Sequence, residues 1–203
     1  MIEPGNFEPE SIDDIIGHAR KIADIQLKKL NAGKLNRLFL LLTGKPGCGK
    51  SSVCRVLAKS LADPINVIDV SACELNVDRV REWIQDLGYA KLYGDWTVYI
   101  INECDEINRQ VEILMLQLLD KAKKHVAILC TSNKANALID RFQSRFQHHE
   151  VTPPAAHEIE KFISNKWPEL KEVAGGLANS CAGDVRQSLA DGQTWLDNKE
   201  YGE

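Results

Sequence analysis

Residues 38–51 read L-F-L-L-L-T-G-K-P-G-C-G-K-S, an apolar run that leads directly into a glycine-rich loop and a lysine. Residues 44–51 fit the pattern G-x-x-x-x-G-K-[ST], in which backbone N–H groups and the lysine surround the phosphates of a nucleotide. The pattern requires a strand before the loop and a helix after it. Residues 38–43 suit a buried strand, and apolar residues recur at helical spacing through residues 51–62. The stretch therefore predicts a strand–loop–helix unit that binds nucleotide.

The residue types in this loop each have a chemical reason. Gly47 and Gly49 allow successive backbone N–H groups to turn toward a phosphate, and the start of the helix adds partial positive charge. The Lys50 ammonium can reach the β- and γ-phosphates, and the Ser51 hydroxyl can bind Mg²⁺. The sequence therefore predicts ATP and Mg²⁺ as cofactors. The residues expected to contact the nucleotide are Gly44, Lys45, Pro46, Gly47, Cys48, Gly49, Lys50, Ser51 and Ser52.

Around the loop, the chain predicts an α/β fold with a five-stranded parallel sheet flanked by helices. Apolar runs suited to buried strands alternate with helical patterns, which is typical of a parallel sheet covered on both faces. Residues 15–33 predict a helix with Ile22, Ile25 and Leu30 near one side. The five predicted strands are residues 38–43, 65–70, 96–102, 125–131 and 148–152.

Two prolines at positions 153 and 154 mark a domain boundary, since proline interrupts regular structure. The sequence predicts an α/β nucleotide-binding domain over residues 1–151 and a small all-helical lid domain over residues 152–203. The helices expected in the second domain are residues 155–165, 168–180 and 183–196, and the glycines at 175 and 176 weaken the middle one.

The composition narrows the class of protein. Charged residues make up 27% and hydrophobic residues 44% of 203, which is ordinary for a globular protein. No apolar run reaches the roughly 18 residues that span a bilayer, and the acidic N-terminus lacks the apolar region of a signal peptide. The net charge of −4 argues against a generally basic nucleic-acid wrapper. The six cysteines form no C-x-x-C pair or zinc pattern, so we expect reduced thiols, a cytoplasmic location and no membrane partner.

A second chemical feature is the stretch V-Y-I-I-N-E-C-D-E-I at residues 98–107, where a strand runs into acidic residues. In phosphate-loop ATPases an aspartate at such a strand end helps to orient Mg²⁺, and a following glutamate can activate the attacking water. Glu103 occupies the position of that base. Asn102 occupies the position of the aspartate and offers an oxygen without charge, so we expect a weak or water-mediated contact with Mg²⁺. Asp105 could compensate, or the acids could cap a helix that starts near Ile107.

Several further motifs occur in a fixed order along the chain. These are F-E-P-E-S-I-D-D-I-I-G-H at 7–18, N-V-D-R-V-R-E-W-I-Q-D-L at 76–87, C-T-S-N at 130–133, Q-S-R-F-Q at 143–147 and G-D-V-R-Q-S-L at 183–189. Together with the phosphate loop they resemble the AAA+ ATPases of the clamp-loader clade, whose members load ring-shaped sliding clamps onto primed DNA. Phe146 departs from the family pattern, which has a cysteine after Ser-Arg.

This resemblance implies roles for individual residues. Ile15, Ile16 and Gly17 would lie near the adenine. Asn133 would be sensor 1, which orients water or the γ-phosphate, and Arg186 would be sensor 2 over the phosphates. Arg145 would be a finger that reaches the site of a neighbouring protomer, with Arg141 as the alternative finger. The catalytic residues implied are Glu103, Asn133, Arg145 and Arg186.

The resemblance also implies a function and partners. We expect an ATP-binding subunit of a homo- or hetero-oligomer that acts in DNA replication or repair, with a sliding clamp and primed DNA as partners. The sequence leaves three alternatives open: an active ATPase, a scaffold that binds ATP with little hydrolysis because of Asn102, and a loader of a helicase or another partner. The family continues into a helical collar, whereas this chain ends after the third lid helix, so we expect either a truncated protein or a different assembly.

Basic residues that could contact DNA are few. Arg79 and Arg81 begin a predicted helix, and the resemblance assigns that helix a position beside the DNA backbone. Lys121, Lys123 and Lys124 end another helix, where interaction with the helix dipole is the favoured explanation. His148 and His149 are expected to be structural or solvated.

Overall fold

A five-stranded parallel sheet forms the centre of the protein, in a computed structural model that describes residues 3–87, 96–134 and 137–202. The strands are β1 (Leu38–Thr43), β2 (Val67–Ser71), β3 (Thr97–Asn102), β4 (Val126–Ser132) and β5 (Gln147–Glu150). They follow the order β2-β3-β4-β1-β5 in the sheet, and their pairings are all parallel. The predicted fold class is therefore confirmed.

Helices cover both faces of this sheet. They are α1 (Gly17–Asn31), α2 (Lys50–Leu61), α3 (Val77–Asp86), α4 (Arg109–Lys121), α5 (Asp140–Gln143), α6 (Ala156–Lys166), α7 (Ala174–Ser180) and α8 (Val185–Tyr201). Alternate residues of β1 point in opposite directions, so Leu40 and Leu42 pack with α1 and α2, whereas Phe39 and Leu41 pack with α3, α4 and α5. Every residue of β1 and β4 is buried, as expected for central strands of a parallel sheet.

The last three helices form a separate hydrophobic cluster. Ile159, Trp167, Leu170 and Leu189 are buried in it, and Phe7 from the N-terminal segment packs against it. The N-terminal segment therefore joins the lid helices to the sheet. The division into domains at residues 1–151 and 152–203 stays a prediction.

Three local predictions need correction. Ile25 is 48% exposed, because α1 turns Gln26 inward at the next position. The second strand begins at Val67, two residues later than predicted, because Pro64–Asn66 forms a 3₁₀ turn that starts at Pro64. The predicted helix at 168–180 is a 3₁₀ turn at Pro168–Leu170 followed by α7, which contains both glycines.

Four of the six cysteines are buried. All six are unpaired thiols, and Cys54, Cys104 and Cys130 are buried in the core. Burial raises the pKa of both the Cys54 and Cys130 thiols, so they stay protonated at neutral pH. Within the part of the chain that the structure describes, no helix has the length and apolar character needed to cross a membrane.

The core position Leu40 provides a test of this fold. Leu40→Ala removes a fully buried side chain from the central strand and should lower the free energy of unfolding by about 2–5 kcal/mol. Ile65→Ala is the control, because Ile65 is 78% exposed and its truncation should change stability by no more than about 0.5 kcal/mol. Urea unfolding followed by circular dichroism measures both, and equal midpoints would contradict the central position of β1.

Candidate nucleotide-binding site

A cavity of about 520 Å³ lies at the carboxyl edge of the sheet, between the phosphate loop, the N-terminal segment and the start of α8. Parallel strands bring their carboxyl ends to one edge, which is where ligands bind in open α/β sheets. The predicted site residues that line the cavity are Ile15, Ile16, Pro46, Gly47, Cys48, Gly49, Lys50, Ser51, Ser52, Glu103, Asn133 and Arg186.

The phosphate loop has the backbone shape that its glycines predicted. Gly47 and Gly49 have φ angles of +70° and +94°, which side-chain-bearing residues rarely adopt, and Gly49 is the N-cap of α2. Lys50 begins this helix and its ammonium donates to the carbonyls of Gly44 (2.8 Å) and Lys45 (2.7 Å). Burial lowers the pKa of the Lys50 ammonium, so a phosphate is a well-matched acceptor that would restore favourable charge interactions.

Cys48 stabilises the phosphate loop through a hydrogen bond within it. Its thiol is buried and donates to the Lys45 carbonyl across 2.9 Å. Burial raises the pKa of this thiol, so it is protonated at neutral pH and serves as a small packing residue.

The Asn102 side chain faces Ser51, where a magnesium ligand was predicted. The Ser51 hydroxyl donates to Asn102 Oδ1 across 3.0 Å, and the Thr131 hydroxyl approaches the same oxygen at 3.4 Å. On its other side, Asn102 Nδ2 donates to Asp69 Oδ1 across 2.7 Å. Asn102 is not among the residues that line the cavity.

These oxygens fit Mg²⁺ only in part. Hard oxygen donors suit the ion, and Ser51 and Asn102 provide two. Within residues 3–87, 96–134 and 137–202, no group of three His, Cys, Asp or Glu side chains could hold a metal ion. The remaining ligands would therefore have to be phosphate oxygens and water, which is usual for Mg²⁺ bound with a nucleotide.

Glu103 follows Asn102 in an unusual backbone conformation. Its φ and ψ angles are +57° and +47°, in the left-handed region, and its N–H donates to the Thr131 hydroxyl across 3.2 Å. Such conformations in residues other than glycine are uncommon and often occur at functional sites. The turn brings Glu103 to the cavity wall, where a general base would be needed.

The alternative that these acids cap a helix near Ile107 is wrong. Residues Cys104–Glu106 form a 3₁₀ turn, and α4 begins at Arg109. Its cap is the side chain of Asn108, which accepts from the Gln110 N–H across 2.8 Å. Asp105 instead accepts from the backbone N–H of Asn133 across 3.1 Å, so it fixes the end of β4.

Asn133 and Arg186 meet the phosphate loop from two sides. Asn133 Oδ1 accepts from the Lys50 ammonium across 3.0 Å. Arg186 lies in the first turn of α8, whose N-cap Asp184 accepts from the Gln187 N–H across 3.0 Å. Both residues line the cavity beside the phosphate loop.

The start of α8 also contacts the loop directly. The Val185 N–H donates to the Gly47 carbonyl across 3.1 Å. A Cβ atom at position 47 would lie 1.8 Å from Asp184 Oδ1, so only glycine permits this approach. The conformation of the phosphate loop and the position of the lid helix are thus linked.

The N-terminal segment forms the apolar end of the cavity. Ile15 and Ile16 line it, together with Phe7 and Phe162, which the sequence analysis did not single out. The Phe7 ring lies 5.7 Å from Phe162 between centroids. Gly17 is not among the lining residues; with a φ of +62°, it starts α1 against Pro154. No motif spacing could have joined Phe7 to Phe162, which are 155 positions apart.

Arg145 lies away from the cavity, after α5. Its Nε donates to Asp120 Oδ1 across 3.0 Å, and its Nη1 donates to the Arg141 carbonyl across 3.3 Å. The hydrogen bond from Arg145 lowers the pKa of Asp120. Arg145 is therefore anchored on α4 of its own chain, and it is not among the described residues that line the cavity.

The fold and the phosphate loop define a protein of the phosphate-loop α/β class. Residues 40–154, more than half of the chain, match the ATPase family associated with various cellular activities (AAA), and the chain belongs to that family.

Proteins with similar sequences support the resemblance to clamp-loader subunits. Replication factor C subunit 5 of Arabidopsis thaliana is 26% identical over 72% of this chain and 41% of its own length. The replication factor C small subunit of Methanococcus vannielii is 24% identical, covering 90% of this chain and 61% of its own. DNA polymerase III subunit gamma/tau of Mycobacterium tuberculosis is 25% identical, covering 73% and 30%. The chain thus spans less than two thirds of these relatives.

Solved structures agree on the fold. A variant of RuvB from Thermotoga maritima superposes with a TM-score of 0.77 over 94% of this chain and 65% of that chain, at 18% identity. A second variant of the same protein gives a TM-score of 0.76. At this identity the likeness concerns the fold alone.

Lys50 provides a direct test of the site. Lys50→Ala removes the ammonium that would contact the phosphates, and a charged hydrogen bond contributes about 1.5–3 kcal/mol. We expect ATP affinity, measured by calorimetry, to fall roughly 10- to 150-fold. Lys59→Ala is the control, since Lys59 is exposed in the last turn of the same helix. Unchanged affinity in Lys50→Ala would overturn the assignment of the phosphate loop.

Proposed function

We propose that this chain is an ATP-binding subunit of the clamp-loader type, which hydrolyses ATP at a site completed by a neighbouring protomer and acts in DNA replication or repair. The observation that carries the proposal is the convergence of the phosphate loop, Asn133 and Arg186 on one cavity, with Arg145 outside it. That division matches a site built mainly by one protomer and finished by the next.

Different residues of the chain have different roles in hydrolysis. Lys50 and the loop N–H groups hold the phosphates, and Mg²⁺, when bound, would screen the charge that develops on them. Glu103 accepts a proton from the attacking water, which Asn133 helps to orient. Arg186 contacts the phosphates from α8, so that nucleotide binding also fixes the position of the lid. Phe7, Ile15 and Ile16 form the apolar region suited to the base.

The proposed role of Arg145 requires a second protomer. In its own chain it is held by the exposed Asp120, in an ion pair that solvent screens and that contributes little to stability. A phosphate group of a neighbouring site is a stronger partner for the guanidinium than a solvated carboxylate. Arg145 could therefore transfer to the neighbour at small cost.

A second candidate is a scaffold that binds ATP and holds an assembly with little hydrolysis. The observation that favours it is Asn102, which offers the Ser51 hydroxyl an oxygen without charge. Binding depends on the phosphate loop and would persist, whereas the chemical step would be slow. Turnover separates the two candidates.

The relatives and two arginines on the surface support our choice of partners. We propose a sliding clamp and primed DNA, with a helicase or other ring as the alternative, and a cytoplasmic setting. Arg79 and Arg81 lie in α3, where Arg81 is paired with Asp78 at 3.1 Å on the surface. Such an exposed pair exchanges readily for phosphate contacts.

Turnover as a function of protein concentration tests the proposal. ATP hydrolysis per protomer should rise with concentration in the presence of Mg²⁺, because each site needs a neighbour, and primed DNA should increase it further. Tight ATP binding with no turnover at any concentration would leave the scaffold as the function. Absence of both binding and turnover would overturn both candidates.

Variants of the two arginines identify the finger. Arg145→Ala should lower turnover by about 10³-fold, to background, because an arginine finger contributes at least this much. ATP affinity of the isolated protomer should be unchanged. If Arg141 were the finger, turnover would instead be lost in Arg141→Ala and retained in Arg145→Ala. Lys59→Ala again serves as the unaffected control.

A further inference from the structure

We propose that Asp69 is a positioning residue that orients the Asn102 amide and brings a negative charge to the magnesium side of the site. The inference rests on the proposed nucleotide site and adds a residue to it. Asp69 lies on β2, outside every motif that the sequence analysis identified. It would supply, one hydrogen bond further away, the carboxylate that Asn102 lacks.

The hydrogen bonds around Asn102 fix the orientation of its amide. A carboxylate only accepts hydrogen bonds, so the 2.7 Å contact with Asp69 Oδ1 must be made by Asn102 Nδ2. The amide oxygen is then turned toward Ser51, at 3.0 Å. The opposite orientation would set the amide oxygen against the carboxylate and the amide N–H₂ toward the metal side. Asp69 therefore determines that Asn102 presents an acceptor to Ser51.

The parallel sheet brings these side chains together. Ser71 is level with Asn102, and Asp69 is level with Ile100, so Asp69 is a diagonal neighbour of Asn102 on the same face. That face packs on α2, where Ser51 and Arg55 are one turn apart. Two side chains of the sheet thus face two side chains of the helix.

Arg55 holds the carboxylate in place. Its Nε donates to Asp69 Oδ2 across 3.2 Å, so the two oxygens of Asp69 have separate partners. Arg55 Nη1 also lies 3.6 Å from Glu8 Oε1 of the N-terminal segment, and Arg55 lines the nucleotide cavity. Asp69 is 34% exposed at its side chain, which leaves its isosteric replacement by asparagine compatible with folding.

This arrangement changes what an aspartate at position 102 would do. Asn102→Asp alone would place two carboxylates within about 2.7 Å of each other, where their like charges repel. The pair Asn102→Asp with Asp69→Asn instead exchanges the amide and the carboxylate. The carboxylate then faces Ser51, and the amide of position 69 donates to it.

The measurement is the affinity of a fluorescent ATP analogue, methylanthraniloyl-ATP, in Mg²⁺ and in EDTA. The ratio of the two affinities reports the contribution of the metal and does not depend on turnover. In Asp69→Asn this ratio should fall about tenfold, the lower range for loss of a residue that orients a metal ligand. Affinity in EDTA should be unchanged, which also shows that the variant is folded. Asp24→Asn is the matched control, an aspartate in an exposed pair with Lys28 on α1.

The double variant Asn102→Asp with Asp69→Asn should change the affinity ratio in the opposite direction. In the Asn102→Asp background, adding Asp69→Asn should raise the ratio to at least that of the unaltered protein. A ratio that falls in both backgrounds, or that stays unchanged in Asp69→Asn, would overturn the role of Asp69. If the unaltered protein bound the analogue in neither buffer, the proposed nucleotide site itself would be wrong and the inference would end with it.

Discussion

The parallel pairing of β1 and β3 with β4 is the constraint on which the rest of the structure depends. In this register Thr43 is level with Ser132, and Ile101 is level with Cys130. The residues that follow each strand therefore emerge together at one edge. Lys50, Glu103 and Asn133 come from three separate segments, and they meet because their strands end side by side. Both β1 and β4 are buried along their whole length.

The lid is connected to the same edge through close contacts of small and charged groups. Asp184 and Val185 contact Gly47, so α8 cannot move without affecting the phosphate loop. On the opposite side of the cavity, Lys166 of α6 pairs with Asp14 at 2.5 Å and lies over the Phe7 ring. A nucleotide between these contacts would touch the loop, the lid and the N-terminal segment at once. That is a physical route by which binding could set the geometry between protomers.

The end of β3 at Asn102 shows how a site can depend on residues outside its motif. Asn102 has no charge of its own, yet it is held between the Ser51 hydroxyl and the Asp69 carboxylate. The electrostatic character of this edge thus depends on a strand at the border of the sheet. Arg55 extends the same chain of contacts to Glu8 and the N-terminal segment.

The sequence by itself determined the fold class, the five strands and the phosphate loop, because apolar periodicity and glycine spacing are local properties of the chain. It also predicted Glu103, Asn133 and Arg186 as site residues through local motifs, and all three line the cavity. Tertiary structure alone decided that Asp69 meets Asn102, that Phe7 meets Phe162 and that Arg145 is held by Asp120. These pairs are 25 or more positions apart. Their contact depends on strand register and helix packing, which no local pattern specifies.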